Sequence, residues 1–454
     1  MSRPLVRITL LSAATCAFVA CAASGTPESN DAPPIEAEDS GANVLGDAGA
    51  PPGDAAADAF REPPRCSSAG WCKTDLPADD LVLEDVWPVG KRAFALGTSA
   101  SLGVKFLEWD ADGGWKVIDD QSELPLRTQA KTVWAPDEDE VFFAIEDLSG
   151  LAGGVSGSII LHGARPVPPE TKWSWTRSRI DCRATRLAIF YLPNGTVWGT
   201  SRDEVYALAC DSIYRLNRDA SVVDGGSDGG AMGPSDVWDV EYADTDATSP
   251  LSWTGAIGTG PDDIWFVGYR GSFATVQCLT LFRKTEAGYT ALIDGVPQGT
   301  TTCLEKPGVA MLKGKLASSG SVGPPNIHAP AKERLVGAIG NAMDNDLVQI
   351  SLVGGEVRIQ TASPRETMDV ALISPWGTSM DDLWVLANRS TPNGIAGTSI
   401  LRATSIWGDA GAFEFSTIAI NGSPNTEQLT RLRGTSNQNL WAVGTHSAYV
   451  KSTR

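Results

Sequence analysis

The sequence predicts an all-β fold in which one segment recurs along most of its 454 residues. A motif of Trp-Gly-Thr, an acidic turn and an apolar strand is repeated, and the last repeat stops one strand short of the others. Repeats of this kind bury their apolar strands only against neighbouring repeats. A closed ring of four-stranded sheets, a β-propeller, meets that need. A solenoid and a pair of β-sandwiches are the alternatives.

The motif joins a strand that ends in Trp-Gly-Thr to an apolar strand through a short acidic turn. The clearest copies cover 375–387, 197–208, 257–268 and 433–444, and looser copies cover 133–144 and 86–97. Ile257 and Arg433 stand at the first Trp position of their copies.

The spacing of the motif sets the number of blades. Its first Trp position falls at 87, 134, 198, 257, 376 and 433, so the gaps are 47, 64, 59, 119 and 57 residues. Because 119 is about twice 59, we expect a degenerate copy near residue 316, with a first strand at 309–312 and a second at 335–340. The sequence therefore predicts seven blades, with six and eight as alternatives.

Each repeat has room for four short strands. We expect them near 83–88, 92–97, 103–109 and 115–118 in the first repeat, and near 369–376, 382–387, 399–404 and 413–418 in the sixth. The second strand is nearly all apolar, which is typical of a strand covered on both faces. We expect the Gly after the Trp to adopt a positive φ, and the acidic pair to cap the turn through hydrogen bonds to the backbone.

The last repeat indicates how the ring closes. Only three strands fit into it, at 429–433, 440–444 and 448–452. We expect the segment at 70–82 to supply the fourth strand. Pairing of the N- and C-terminal strands would leave no open sheet edge.

The N-terminal residues predict an export signal. Two Arg precede an apolar run at 8–20, whose 13 residues are too few to cross a bilayer, which takes about 20. The run ends Phe18-Val19-Ala20-Cys21. This ending resembles the lipobox of bacterial lipoproteins, with Phe18 where Leu is usual. The resemblance implies a signal peptide at 1–20 and lipidation of Cys21. An ordinary secreted protein, cleaved one or two residues later, is the alternative.

A low-complexity stretch follows the signal. Residues 21–65 are mostly Ala, Pro, Gly, Ser and acidic residues, and from residue 22 nine acidic side chains face two Arg, for a net charge of −7. We expect a disordered tether because there is little apolar surface to bury. Ala22 after the Cys resembles lipoproteins that are sent to the outer membrane. The propeller domain is then expected at 66–454.

The remaining cysteines suit an oxidising compartment. Cys16 lies in the predicted signal and Cys21 would carry the lipid, which leaves an even number. The remaining six are Cys66, Cys72, Cys182, Cys210, Cys278 and Cys303. Of 15 possible pairings, the simplest joins them in sequential order. Free buried thiols are the alternative.

Composition excludes several classes of function. The net charge is −19, which argues against nucleic-acid partners and against adhesion to anionic lipid through charge. Membrane contact is therefore expected through the lipid anchor alone. The three His are far apart in sequence, so a His-based metal site is not predicted.

The repeated motif resembles that of multi-blade β-propeller lipoproteins found in some Gram-negative bacteria with large genomes. The resemblance covers about residues 80–454. It implies the architecture, and no catalytic residues are carried over from that family. No catalytic, cofactor-binding or metal-binding residue is predicted from the sequence.

Three further features of the sequence are explained most simply by a structural role. Trp173 and Trp175 alternate along a strand, and we expect blade packing, with a carbohydrate-stacking platform as the alternative. The glycine-rich stretch at 224–230 contains Asp oxygens suited to Ca²⁺, but a loop between strands is the simpler interpretation. His446 is expected at the surface.

These observations lead to a functional hypothesis. We expect a non-enzymatic, envelope-anchored propeller, monomeric and without cofactor, that binds a protein or a glycan of the cell envelope across one face. A glycan hydrolase or lyase with its site in the central channel is one alternative, and it needs carboxylates, Arg or a metal there. A purely structural envelope protein is the other.

Overall fold

The computed structural model describes most of the chain after residue 64. The described residues are 65–119, 128–148, 157–182, 195–220, 236–246, 249, 251–271, 276–300, 302–312, 327–341, 344–363, 370–391, 394–408, 411–420, 422–423 and 425–452. The predicted signal peptide, Cys21, the tether before Arg65 and the stretch at 224–230 lie outside them.

The strands form seven four-stranded antiparallel sheets, one for each repeat. Blade 1 comprises β2 (Leu81–Val89), β3 (Arg92–Ser99), β4 (Gly103–Asp110) and β5 (Gly114–Val117). Blade 2 comprises β6 (Thr128–Trp134), β7 (Glu140–Asp147), β8 (Gly157–Ala164) and β9 (Ser174–Asp181). Blade 3 comprises β10 (Thr196–Ser201), β11 (Glu204–Ala209), β12 (Ser212–Asn217) and β13 (Val237–Ala243). Blade 4 comprises β14 (Leu251–Gly260), β15 (Asp263–Arg270), β16 (Cys278–Thr285) and β17 (Gly288–Ile293).

The remaining strands complete the set. An extra hairpin comprises β18 (Gly295–Gln298) and β19 (Thr302–Glu305). Blade 5 comprises β20 (Ile327–Ala331), β21 (Arg334–Asn341), β22 (Asp344–Val353) and β23 (Glu356–Ala362). Blade 6 comprises β24 (Ala371–Ser379), β25 (Asp382–Thr391), β26 (Gly394–Thr404) and β27 (Ala412–Ser416). Blade 7 comprises β28 (Leu429–Ser436), β29 (Asn439–Gly444), β30 (Ser447–Ser452) and β1 (Trp71–Thr74).

The first strands of the blades surround the axis. Strands β2, β6, β10, β14, β20, β24 and β28 each contact the next, and β28 contacts β2. The protein is therefore a seven-bladed β-propeller, as the sequence predicted.

The second strands form the middle of each blade. All eight residues of β7 and of β15 are buried. Their neighbours on both faces are the adjoining blades, so the near-continuous apolar runs of the sequence are explained.

The ring closes by pairing the two ends of the described chain. Strand β1 pairs antiparallel with β30, with Trp71 opposite Lys451 and Thr74 opposite Ala448. The prediction of a closing strand within 70–82 is confirmed. Trp71 is fully buried, and its Nε1 donates a hydrogen bond of 3.0 Å to Ser416 Oγ.

Blade 5 corrects one sequence prediction. Its second strand lies at the expected place, but its first strand is β20 and not 309–312. Ala310 instead follows the extra hairpin and forms a parallel bridge to Ile293. The spacing argument predicted the right number of blades but misplaced this strand, because the hairpin lengthens the connection between blades 4 and 5. The position equivalent to the motif Trp is His328.

Three disulfides join the cysteines in sequential order: Cys66–Cys72, Cys182–Cys210 and Cys278–Cys303. The first lies beside the closing strand β1. The third links β16 to the extra hairpin, which holds the hairpin against blade 4. Disulfides of this number indicate an oxidising compartment outside the cytoplasm. In the part of the chain that the structure describes, no helix has the length and hydropathy to span a bilayer.

Candidate functional site

The motif positions of all seven blades meet at the propeller axis. They line a hollow of about 410 Å³, which we call the vestibule. These residues are Trp87, Trp134, Trp198, Ile257, His328, Trp376 and Arg433. Because they lie near the ends of the first strands, the vestibule is on the side of the ring that carries the turns between first and second strands.

The Gly of the motif makes room for the neighbouring Trp. A Cβ added at Gly199 would lie 2.6 Å from Glu204 O and 2.7 Å from Trp134 Cη2. A Cβ at Gly258 would likewise lie 3.0 Å from Trp198 Cη2. Neither Gly has a positive φ, so the sequence prediction was wrong on this point. The Gly is needed because the Trp of one blade packs on the backbone of the next.

Hydrogen bonds also join the motif positions of neighbouring blades. Trp87 Nε1 donates to Ala135 O at 3.0 Å. His328 Nε2 lies 2.7 Å from Gly377 O, and because a carbonyl only accepts, this nitrogen carries the proton. Burial lowers the pKa of His328 to about 4, which keeps the imidazole neutral. His328 therefore takes the structural place of the motif Trp in blade 5.

A polar residue two positions before the motif Trp forms a second set of hydrogen bonds between neighbouring blades. In three blades its side chain accepts a hydrogen bond from a backbone N–H of the next blade. The pairs are Val133 N to Asp85 Oδ2 at 3.1 Å, Val197 N to Thr132 Oγ1 at 3.0 Å, and Leu432 N to Ser374 Oγ at 2.8 Å. This position was missed in the sequence, although its polar character among apolar neighbours was visible there.

A narrower hollow adjoins the vestibule and shares part of its wall. Its volume is about 30 Å³, and we call it the throat. The polar side chains on its wall are Thr132, Thr196, Thr254, Arg431 and Arg433. The throat thus contains two guanidinium groups and three hydroxyl groups.

The two Arg of the throat share one carboxylate. Asp85 is fully buried, and its Oδ1 lies 3.1 Å from Arg431 Nε and 3.3 Å from Arg433 Nε. The guanidinium of Arg433 also stacks on Trp87, with its Cζ 5.0 Å from the ring centroid. Burial and the nearby Arg433 lower the pKa of Arg431. Arg431 nevertheless keeps its charge, because the ordinary pKa of a guanidinium is very high.

A buried pair of oppositely charged side chains joins the first and second strands of blade 2, beside Thr132 of the throat. Lys131 Nζ is 3.0 Å from Oε2 of Glu146, which is fully buried. Desolvation raises the pKa of Glu146 to about 7, and Lys131 opposes that shift. Desolvation also raises the pKa of Glu84.

The second acidic residue of the turns does not cap its own turn. Asp263 accepts from Thr259 Oγ1 at 2.8 Å and from Arg283 Nε at 3.1 Å. Asp382 accepts from Arg402 Nε at 2.8 Å, and this bond holds the pKa of Asp382 below its usual range. The predicted capping of the turn is therefore wrong at these positions. Both carboxylates bind side chains, and Asp263 also accepts the backbone N–H of Glu333 in the next blade at 3.2 Å.

The other candidates from the sequence lie away from the axis. Trp173 and Trp175 pack on the core of blades 1 and 2, with Trp175 5.6 Å from Phe106 between ring centroids. Blade packing is thus confirmed for this pair. His446 is exposed in the turn between β29 and β30, as expected. Across the described stretches of the chain, no group of three or more His, Cys, Asp or Glu is placed to bind a metal.

No protein-family model matches this chain, and no curated protein matches it. Several solved structures are similar. YCF48 from Cyanidioschyzon merolae is 12% identical, with 84% of this chain and 98% of that chain covered and a TM-score of 0.45. The GH93 α-L-arabinofuranosidase of Fusarium graminearum is 10% identical, with 72% and 96% covered and a TM-score of 0.39. The six-bladed lectin of Aleuria aurantia is 11% identical, with 75% and 95% covered and a TM-score of 0.34. Likenesses this distant carry no argument about ligands.

Proposed function

We propose that this chain is an envelope-anchored, non-enzymatic binding protein, and that a glycan end enters its vestibule. The observation that carries the proposal is the vestibule itself. All seven blades contribute to one hollow of about 410 Å³ on the axis. This volume lies within the usual range for sites that bind small molecules or the ends of larger ones.

The chemistry of the wall suits a sugar. Trp87 and Ile257 contribute apolar groups to the wall, and Thr200, Thr259 and Thr435 contribute hydroxyl groups. The hydroxyls of Thr200 and Thr259 donate to Glu204 and Asp263, so toward a sugar they are acceptors. A sugar ring has apolar C–H faces and many hydroxyl groups, so it needs both kinds of surface. A protein partner would be expected to use the outer turns as well.

The wall favours binding over catalysis. None of the described residues on the walls of the vestibule and throat is a carboxylate. Glycoside hydrolysis ordinarily uses two carboxyl groups that flank the scissile bond. The Arg that the enzyme alternative requires are present, and they would stabilise developing negative charge. However, Asp85 lies behind the wall, with both of its oxygens engaged.

The anchor completes the proposal. We propose that Cys21 is lipidated, that residues up to about 65 tether the propeller, and that the lipid inserts into the outer membrane. Support comes from the lipobox-like ending of the apolar run and from the three disulfides, which fit an exported protein. The resemblance to propeller lipoproteins agrees with this proposal.

A substitution that narrows the vestibule tests the binding site. A Cβ added at Gly260 would meet its nearest atom, Asp262 Oδ1, at 3.8 Å, so a side chain can start from this wall of the vestibule without a clash at its Cβ. The full-length protein, in detergent, is applied to an array of Gram-negative envelope oligosaccharides. We expect Gly260→Trp to weaken retention at least about tenfold, which is about 1.4 kcal/mol.

The matched control is Gly408→Trp, at an exposed position away from the vestibule. A Cβ added there would also meet no close atom, since the nearest is Ser405 O at 3.9 Å. It should bind like the wild type. Equal retention by both variants would contradict a vestibule site. Release of shorter sugars from the array would favour the enzyme alternative. Stoichiometric cross-linking to one protein, with no sugar retained, would favour a protein ligand.

A further inference from the structure

Among the described residues, one carboxylate lies within ion-pair distance of the two guanidinium groups of the throat. Glu84 also acts electrostatically on Arg431, and burial raises the pKa of the Glu84 carboxyl. Arg431 and Arg433 converge on the single carboxylate of Asp85. The second oxygen of that carboxylate already accepts the N–H of Val133 at 3.1 Å. Lys131 is not on the throat wall, and its Nζ lies 3.0 Å from Glu146 Oε2.

One donor of Arg431, its Nε, also lacks a hydrogen bond. It is only 6% exposed, and its Nε is buried without an aligned hydrogen bond to any described residue, although Asp85 Oδ1 is 3.1 Å away. A guanidinium carries five N–H groups, and burying them unpaired is unfavourable. Since the side chain lines the throat, a group inside the throat could approach the guanidinium.

Thr196 gives an independent indication of the same group. Its hydroxyl is buried, lies on the throat wall and has no hydrogen-bond partner among the described residues. At the equivalent position of blade 2, the hydroxyl of Thr132 accepts an N–H from the next blade at 3.0 Å. Thr196 therefore departs from the structural pattern at a point where the wall faces the throat.

We propose that the throat binds the carboxylate of an acidic ligand, with Arg431, Arg433 and Thr196 as its donors. This inference rests on the proposed function, because the remainder of the ligand would occupy the adjoining vestibule. The ligand class would then be glycans that contain a uronic or similar acidic sugar.

Charge and shape favour a carboxylate over other anions. A carboxylate carries a single negative charge, so beside Asp85 and Glu84 it adds less like-charge repulsion than a phosphate would. A planar carboxylate can accept two parallel N–H···O hydrogen bonds from one guanidinium. A phosphate or sulfate group has more oxygens to place, and the throat has only about 30 Å³.

The test compares acidic oligosaccharides with the same oligosaccharides after their carboxyl groups have been reduced to alcohols. The full-length protein should bind the acidic form at least about tenfold more tightly. Arg433→Gln should remove that preference, whereas the exposed Arg358→Gln should retain it. Equal binding of both forms would overturn the inference and leave the proposed function standing.

Thr196→Val separates a ligand role from a structural one. We expect about fivefold weaker binding of the acidic form, with an unchanged or higher Tm without ligand, because the substitution removes an unpaired buried hydroxyl. Thr361→Val, on an exposed part of β23, is the matched control. A lower Tm with unchanged binding would overturn the role of Thr196 as a donor.

A second measurement keeps the inference testable if no sugar binds. Acetate supplies the carboxylate alone, and chloride at the same concentration is the control. A rise in Tm with acetate in the wild type, but not in Arg433→Gln, would support the anion site even though the glycan proposal had failed. Equal effects of acetate and chloride in the wild type would overturn the anion site.

Discussion

Single residues at the axis explain why the motif recurs. The Trp of one blade lies on the Gly of the next, with Trp134 on Gly199 and Trp198 on Gly258. The polar residue two positions before the Trp adds a hydrogen bond across the same seam, as Thr132 does. The motif is therefore a device for joining blades, and the residues available for ligand binding are those that depart from it.

Gly199→Ala should destabilise the propeller by about 1–3 kcal/mol, because the added Cβ would lie 2.6 Å from backbone and 2.7 Å from Trp134. Urea unfolding followed by Trp fluorescence measures the change. Gly260→Ala is the control, since its Cβ meets nothing closer than 3.8 Å. Equal stability of the two variants would show that the seam adapts to a methyl group.

Glu146 should make stability depend on pH. Its pKa is raised from 4.5 to about 7, so the folded state holds a proton that the unfolded state releases. The free energy of unfolding should therefore fall as pH rises from about 4.5 to about 7, by up to about 3 kcal/mol from this group. Glu146→Gln should remove that part of the pH dependence in urea unfolding, and Glu170→Gln, at an exposed site, should not. Parallel pH profiles of wild type and Glu146→Gln would contradict the shift.

At the scale of elements, strand β1 carries the closure of the ring. It is only four residues long, yet Trp71 within it is fully buried and packs edge-on against Trp384, with ring centroids 6.1 Å apart. The Cys66–Cys72 disulfide lies at its start. Without β1, the edge of β30 would be open to pairing with other chains.

Trp71→Ala should cost about 3–5 kcal/mol, because it removes a large buried side chain from the closing strand. Lys73→Ala, at an exposed site on the same strand, should change stability by less than about 0.5 kcal/mol. Thermal unfolding measures both, and light scattering should show that Trp71→Ala aggregates at a lower temperature. A Tm loss no larger than that of Lys73→Ala would mean that the closing strand contributes little.

The strands also show which parts of the fold could be predicted from the sequence. Repeat period and apolar runs predicted the blades and the closure, because those patterns follow directly from burial. The first strand of blade 5 was missed, since His328 replaces the Trp and β18–β19 lengthens the gap. The throat was missed because Arg431, Asp85 and Thr196 are distant in sequence and meet only when the ring closes.

At the scale of the whole molecule, the ligand proposed for the axis is consistent with a protein that is exported from the cytoplasm. A net charge of −19 would repel an acidic glycan at long range, so recognition would depend on the guanidinium groups of the throat. Three disulfides suit a protein that works outside the reducing cytoplasm. A membrane anchor would place the vestibule near the glycans of the envelope.

The anchor is tested with Cys21→Ser. The wild type should sediment with membranes, and its mature N-terminus should be Cys21 with an added acyl mass. Ser has no thiol to form the thioether, so the variant should lose the acyl mass and, where it is still processed, appear in the soluble fraction. Cys16→Ser is the matched control, since Cys16 lies in the segment that we expect to be removed, and it should behave as the wild type. A soluble wild-type protein that begins at Ala22 or Ala23 would identify an ordinary secreted protein and remove the anchor from the proposed function.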